Sequence, residues 1–196
     1  TGPRVLSVET GRTSEVIPGT GATDYPTSVS QDGERLVFMR NNSPDTSGDL
    51  YVSSLRGDPQ IHPILKTTAF DGNGRLSPDN RWILYSSSES GRTEVFVAPF
   101  PKVDRKLPVS TEGGTQAAWN PNGREIFYRD GTKMMSVTVS TGPALSLGTP
   151  RLLFDEPYAF GAGVTVPNYD VSPDGQRFVM VKEETGAARL IVVLNW

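Results

Sequence analysis

Short apolar runs separated by polar turns recur along the whole chain. Four of these runs hold three consecutive apolar residues each, and they begin at Leu36, Ile83, Ile126 and Phe178. An apolar run without alternation predicts a strand that is buried on both faces. The pattern therefore predicts a protein built from short β-strands, with almost no helix.

A turn with the same chemistry precedes each of these strands. Its clearest copy is residues 172–175 (Ser-Pro-Asp-Gly), and looser copies begin at Ser30, Ser77 and Asn120. Proline presets φ for a type I turn, Asp or Asn suits the next position, and Gly or Asn takes the left-handed conformation that closes a bulged hairpin. We therefore predict a positive φ at Gly123 and at Gly175.

The turns recur at positions 30, 77, 120 and 172, a period of about 40 to 50 residues that is typical of the blades of a β-propeller. The predicted units span residues 24–65, 70–109, 115–154 and 164–196. Residues 1–18 form a half blade with strands at 5–8 and 15–17, and the last unit lacks its fourth strand. We predict an all-β propeller with about four four-stranded blades, and the alternative is a β-sandwich with similar hairpins.

Two columns of matched positions run through the first strand of each unit. The apolar residue before each turn (Val29, Leu76, Trp119 and Val171) is predicted to pack between blades. The position two residues earlier is small in three units, as Thr27, Gly74 and Ala117, which fits strands that crowd near an axis. Tyr169 breaks this second column.

The composition agrees with this fold and narrows the function. The chain has 20 Gly, 16 Pro and no Cys, which excludes disulfides and thiol catalysis. Its net charge of −3 is spread without a basic face, so nucleic acid is not an expected partner. No apolar run is long enough to predict membrane insertion within the chain.

Patterns for catalysis are missing from the sequence. It has neither the glycine loop and catalytic Asp motifs of a kinase nor the Gly-x-Ser-x-Gly elbow of a hydrolase. The lone His62 cannot form a metal cluster, and Asp170 has no obvious acidic partner for sugar chemistry. We therefore expect a non-catalytic domain without a cofactor or metal, and the alternative is a propeller enzyme that acts on carbohydrate.

Binding is expected on the face that carries the loops between blades and between the second and third strands. These loops vary in length, whereas the opposite turns are short and uniform, and recognition usually lies on such variable loops. The longest of them is the segment 155–168. The predicted ligand-binding residues lie on or beside these loops: Asp71, Asn73, Arg75, Gln116, Tyr158, Phe160, Asn168 and Tyr169.

Several segments resemble a known family of repeats. The Ser-Pro-Asp-Gly turn before an apolar strand is similar to the WD40-like repeat of the bacterial Tol-Pal translocation protein. More specific segments resemble the propeller that follows bacterial serine/threonine protein kinases: 91–101 (GRTEVFVAPFP), 110–114 (STEGG), 123–128 (GREIFY), 148–154 (GTPRLLF) and 191–196 (IVVLNW). In that architecture a cytoplasmic kinase and a membrane helix precede an extracytoplasmic propeller.

The resemblance implies a periplasmic or extracytoplasmic binding module, such as the sensor domain of a receptor-like kinase. Its partner would be a protein, a peptide or a small ligand on the loop face. The alternative is an accessory propeller that gates substrate for a serine hydrolase. The resembled family has about six or seven blades, so we expect the chain to be part of a larger ring whose open edges could self-associate, the alternative being a smaller closed ring.

Overall fold

A computed structural model describes residues 3–6, 8–18, 21–41, 47–141, 144–159, 167–184 and 187–194. All regular secondary structure in these ranges is β-strand, which confirms the predicted all-β propeller class. Because the described residues form no helix, none of them forms a helix that could span a membrane.

Three sheets of at least four antiparallel strands follow one another along the chain, and we call them blades 1 to 3. Blade 1 is β3 (Thr23–Val29), β4 (Arg35–Asn41), β5 (Asp49–Ser54) and β6 (His62–Leu65). Blade 2 is β7 (Asp71–Leu76), β8 (Trp82–Ser87), β9 (Glu94–Pro99) and β10 (Leu107–Pro108). Blade 3 is β11 (Thr115–Trp119), β12 (Glu125–Asp130), β13 (Lys133–Thr141), β14 (Leu145–Leu147) and β15 (Arg151–Asp155).

Two smaller sheets complete the described strands. Blade 4 has three, namely β16 (Tyr169–Val171), β17 (Arg177–Glu184) and β18 (Ala187–Leu194), and β18 pairs only with β17 among the described strands. The N-terminal pair is β1 (Arg4–Leu6) and β2 (Thr13–Glu15), so both strands begin earlier than predicted. Val16 and Ile17, which were expected in the second strand, follow it and are buried against β4 and β5.

The middle strands explain the consecutive apolar residues. On β8, Ile83 and Tyr85 pack with Val37 and other side chains of blade 1. Trp82 and Leu84 point to the other face and pack with Ile126 and further side chains of blade 3. Successive residues of one apolar run therefore contribute to two separate cores, one on each face of the sheet. A strand that alternates apolar and polar residues could contribute to only one of them.

The turns have the predicted geometry. φ is +71° at Gly123 and +69° at Gly175, which confirms both predictions, and Asn80 takes the same region at +57°. The serine at the first position of a turn also bonds to the strand that follows, because its hydroxyl oxygen accepts a hydrogen bond from the N–H of the residue five positions later. That distance is 3.0 Å in both Ser77–Trp82 and Ser172–Arg177.

The apolar column before the turns behaves differently in blade 1. Leu76 and Trp119 are buried, and each bonds to the preceding blade: the Leu76 N–H donates to Ser28 Oγ and Trp119 Nε1 donates to the Arg75 carbonyl. Val29 is 55% exposed, so the prediction that it packs between blades is wrong. The column packs toward the preceding blade, and among the described residues no four-stranded sheet precedes blade 1.

Candidate functional site

The inner strands of blades 2 and 3 carry an amide residue at the same place, three positions before the buried apolar residue of each turn. These residues are Asn73 and Gln116, with φ of +57° and +52°, and Asn168 takes the corresponding position in blade 4. Each of the two positive φ values lies within a break in strand register, between Gly72 and Arg75 in β7 and between Thr115 and Ala118 in β11. Positive φ is uncommon outside glycine, and β-bulges of this kind re-aim a side chain.

Gln116 is the most unusual of these amides. Its side chain is fully buried, and neither its Oε1 nor its Nε2 has a hydrogen-bond partner among the described residues. Buried polar groups are nearly always paired, because an unpaired one keeps the cost of losing its water. At the inner strand, the Oε1 of Gln116 can therefore accept a further hydrogen bond and its Nε2 can donate one.

Tyr169 fixes the backbone of Gln116 from the next blade. Its hydroxyl donates to the Gln116 carbonyl oxygen at 2.7 Å and lies 3.5 Å from the Phe127 carbonyl. Burial raises the pKa of Tyr169, so the phenol stays neutral and keeps its proton for donation. The tyrosine that broke the column of small residues is thus the link between β11 and β16.

Arg129 lies on β12 beside this link and was not among the predicted site residues. Its side chain is fully buried, and its Nη2 donates to the carbonyls of Gly131 at 3.0 Å and of Tyr158 at 3.3 Å. Burial lowers its pKa, because the charged form loses hydration. An alignment of the repeat units indicates the burial of Arg129, since it takes the same position as the buried residues Met39 and Ser86.

Tyr158 and Asn168 bring the long inter-blade segment to the same place. Both are half-buried. Tyr158 packs in the cluster that contains Tyr169, and its carbonyl receives Arg129. The Asn168 Nδ2 donates to the Ala159 carbonyl, whereas its Oδ1 is buried without a partner among the described residues. Phe160 lies outside the described residues.

The remaining predicted residues are less closely joined to this group. Arg75 is half-buried on β7, and its positive charge opposes the rise in the pKa of Tyr169. Asp71 belongs to a separate cluster in blade 2, where Thr67 Oγ1 donates to its Oδ2 at 2.6 Å. Burial is the largest cause of its raised pKa, and hydrogen bonds from Ser87 and Thr67 oppose the shift. We call Gln116, Arg129, Tyr158, Asn168 and Tyr169 the inner-strand site.

The inner-strand site suits recognition by hydrogen bonds. It combines a buried guanidinium, a phenol and two amides that have polar atoms without partners in the described ranges, so it can both donate hydrogen bonds to a ligand and accept them. Among the residues that the structure describes, no three His, Cys, Asp or Glu side chains come together as metal ligands would.

The succession of antiparallel sheets along the chain is that of a β-propeller, and comparison with solved structures gives its type. The chain is similar to TolB from Acinetobacter baumannii, with 16% identity and a TM-score of 0.74 over 97% of this chain and 45% of that one. It is also similar to a putative TolB from Agrobacterium tumefaciens, with 22% identity and a TM-score of 0.70 over 97% of this chain and 65% of that one. Its fold is therefore that of a TolB-type propeller.

A peptidase is among the similar structures as well. A puromycin-hydrolyzing peptidase of Mycobacterium tuberculosis matches with 14% identity and a TM-score of 0.63, over 95% of this chain and 29% of that one. The chain thus spans about half to two thirds of the TolB structures and less than a third of the peptidase. No protein-family model and no curated protein matches the sequence.

Proposed function

We propose that the chain is a non-catalytic binding module that recognises a peptide or a protein segment at the inner-strand site. The observation that carries this proposal is Gln116, whose fully buried amide has no hydrogen-bond partner for Oε1 or Nε2 among the described residues. A backbone peptide group offers an acceptor for Nε2 and a donor for Oε1. Because Gln116 is fully buried in the free domain, a bound peptide must displace the side chains that cover this amide to reach it. The half-buried Tyr158 and Asn168 would make the outer contacts to the same ligand.

The surroundings of the site favour an extended ligand. Thr132 Oγ1 donates to Asp155 Oδ1 at 2.6 Å, which ties the turn after β12 to the start of the long inter-blade segment. This exposed pair gives the site a polar rim, and Tyr158 gives it an aromatic surface, a combination that is common where proteins bind peptides. Arg75 adds a positive charge that an acidic ligand residue would meet.

Peptide panning tests this proposal. A random peptide library would be selected against the domain, and Kd would be measured for the enriched peptides. Gln116→Met keeps a long unbranched side chain without the amide, and we expect about a 10-fold loss of affinity because one or two hydrogen bonds are removed. Arg124→Ala, at an exposed position on the opposite turn face, is the control. Equal binding by both variants would contradict the proposal.

We place the module in a larger bacterial membrane protein, outside the cytoplasm, as the sensor domain of a receptor-like serine/threonine kinase. The support is the resemblance of residues 91–101 and 148–154 to kinase-linked propellers, together with the TolB-type fold. Reading the gene on the 5′ side of the codon for Thr1 tests this: kinase motifs followed by a membrane helix are expected.

The second candidate is an accessory propeller that gates substrate for a serine hydrolase. It is favoured by the similarity to the puromycin-hydrolyzing peptidase, of which this chain covers 29%. A Gly-x-Ser-x-Gly elbow encoded beyond Trp196 would support this candidate and contradict the kinase arrangement.

A further inference from the structure

A cleft of about 320 Å³ opens on the turn face, on the opposite side of the blades from the inner-strand site. It lies where the end of β5 and the start of β4 in blade 1 meet the segment after β9 in blade 2. Its walls include Arg35, Val52, Arg56, Phe100 and Pro101, and we call it the Arg35 cleft. The volume is at the lower end of the range for small-molecule sites.

The floor of the Arg35 cleft is apolar. Val52 and Phe100 are 9% exposed each and form the end of the core between blades 1 and 2. Pro101 is exposed beside them. The interblade core therefore reaches the surface here, and an apolar group that enters the cleft would cover the ring of Phe100 and lose its own contact with water.

One wall carries the guanidinium of Arg35. The guanidinium carbon of Arg35 lies 5.7 Å from the centre of the Phe100 ring. The structure gives the Arg35 side chain no hydrogen bond and no ion pair among the described residues, although its charge helps to lower the pKa of Asp32. A guanidinium held over a ring keeps its N–H groups in its own plane, where they can meet a carboxylate through two parallel bonds.

The corresponding residue of blade 4 shows that the turn does not require this arrangement. Arg177 begins β17 as Arg35 begins β4, and both backbone N–H groups bond to the serine of their turn. Arg177 Nη2, however, donates to Asp174 Oδ2 at 3.0 Å. Arg35 is thus directed to the aromatic floor of the cleft instead of to the carboxylate of its own turn.

A second cation lies at the rim. Arg56 Nη1 is 3.3 Å from Glu34 Oε1, with the two side chains 74% and 49% exposed. An exposed pair of this kind contributes little, so Arg56 can turn to a ligand at small cost. The rim also holds His62. The net charge of the lining residues is positive, because Glu34 offsets only one of the two arginines.

We infer that the Arg35 cleft binds a carboxylate attached to an apolar side group. The carboxylate meets Arg35 and Arg56, and the side group packs on Val52, Phe100 and Pro101. An N-acylated aromatic amino acid has this chemistry, and so does the C-terminal residue of a peptide. The inference is independent of the proposed function, because the cleft and the inner-strand site share no residue.

NMR titration of the ¹⁵N-labelled domain tests the inference with three probes. They are N-acetyl-phenylalanine, the peptide acetyl-Gly-Gly-Gly-Phe with a free carboxylate, and the same peptide with a C-terminal amide. We expect saturable shifts at the backbone amides of Arg35, Ser54 and Phe100, with a Kd on the order of 1 mM for the first probe. The amidated peptide should bind about 10-fold more weakly or not at all, because it lacks the charge.

Two variants separate binding from folding. Arg35→Gln should lower the affinity for the two free acids about 10-fold. Arg177→Gln, which changes the matched arginine of blade 4, should leave their Kd as in the parent domain. Both positions are exposed, and thermal melts would verify that both variants fold.

Two results would overturn the inference: equal binding of the acid and the amide, or shifts that Arg35→Gln leaves unchanged. If the inference holds, a peptide that binds more tightly than N-acetyl-phenylalanine identifies a chain end as the ligand. Equal affinities identify a small carboxylate. If the Gln116→Met variant lost affinity for the selected peptides but still bound N-acetyl-phenylalanine, the result would support the proposed function and would leave the Arg35 cleft unaffected.

Discussion

The side-chain Oδ1 of Asn80 accepts the backbone N–H of Gln31 at 2.9 Å, although the two residues are 49 positions apart. Both lie in the repeated turns, Gln31 in blade 1 and Asn80 at the last position of the blade 2 turn. The asparagine that replaces glycine there supplies a bond that glycine could not make. The turns are therefore joined to each other as well as to their own strands.

Two substitutions at Asn80 separate this bond from the backbone strain at φ +57°. Asn80→Gly keeps the backbone conformation and loses the bond, so the free energy of unfolding should fall by about 0.5–1.5 kcal/mol. Asn80→Ala also places an alanine in the left-handed region and should cost about 1 kcal/mol more. Urea unfolding measures both, and an alanine variant as stable as the glycine variant would contradict the reasoning.

Gly175 should be the least replaceable of the turn glycines. A Cβ there would lie 2.3 Å from Asn120 Oδ1, whereas a Cβ at Gly33, with the same φ of +69°, would meet no atom within 4 Å. Gly33→Ala should therefore cost only the strain of about 1–2 kcal/mol. Gly175→Ala should cost more, because Asn120 must move, and Gly175→Val should cost on the order of 1–3 kcal/mol through strain alone. Thermal melts of the variants compare the two sites, and equal losses for the two alanine variants would show that Asn120 does not constrain Gly175.

Gln116→Met should stabilise the free domain. Removing a buried amide that has no partner in the described part of the chain relieves its desolvation cost, for a gain of about 1 kcal/mol in the free energy of unfolding. Tyr169→Phe should lower it by a similar amount, because the donor to the Gln116 carbonyl is lost. Denaturant unfolding of both variants checks the signs. A destabilised Gln116→Met would mean that the amide has a partner in the free protein.

The turns could be predicted from the sequence because their chemistry is local. The positive φ of Gly123 and Gly175 follows from the turn motif, and the strands follow from apolar runs long enough to bury two faces. Burial of Val29 could not be judged in this way, because an apolar residue does not reveal whether a neighbouring blade covers it. Arg129 was missed because a charged residue next to Asp130 and Gly131 has the appearance of a surface turn.

Of the inner-strand site, the sequence could predict which loops and strand ends are involved but not which atoms meet. The bond from Tyr169 to the Gln116 carbonyl depends on how blade 4 stacks on blade 3. The residues near Gln116 in the sequence do not indicate that its amide finds no partner within the ranges that the structure describes. The Arg35 cleft could not be predicted either, since it forms where side chains of two consecutive blades meet, such as Arg35 of blade 1 and Phe100 of blade 2.

Stability should respond to pH in opposite directions at Asp71 and Asp174. Burial raises the pKa of Asp71 above 3.8, so the folded state binds this proton more tightly and the contribution of Asp71 declines as pH rises from 3.8 through the raised pKa. The Ser172 hydrogen bond lowers the pKa of Asp174, so its contribution is present above 3.8 and is lost as pH falls through the lowered pKa.

Asn substitutions isolate the two effects. The stability of the parent relative to Asp71→Asn should fall with rising pH, and relative to Asp174→Asn it should rise. Urea unfolding at a series of acidic pH values measures both differences. Parallel slopes for the two variants would contradict the assignment.

The outer edge of β18 gives a prediction about self-association. This strand has one strand partner among the described residues, and Val192 on it is 53% exposed. Unpaired edge strands recruit further strands, so the isolated chain should associate as its concentration rises, which sedimentation velocity would show. Val192→Lys should weaken the association, because a charge would then lie at the new interface. A chain that remains monomeric at every concentration tested would contradict the prediction.

The split of β8 between two cores has a consequence for how the protein opens. Ile83 and Tyr85 hold blade 2 to blade 1, whereas Trp82 and Leu84 hold it to blade 3. Separation of blades 2 and 3 would leave the contacts between blades 1 and 2 intact. Each blade is therefore joined to the next by an apolar interface of its own, and thermal fluctuations can open one interface while the others stay closed. Amide hydrogen exchange should then resolve several cooperative units, each bounded by a joint between blades.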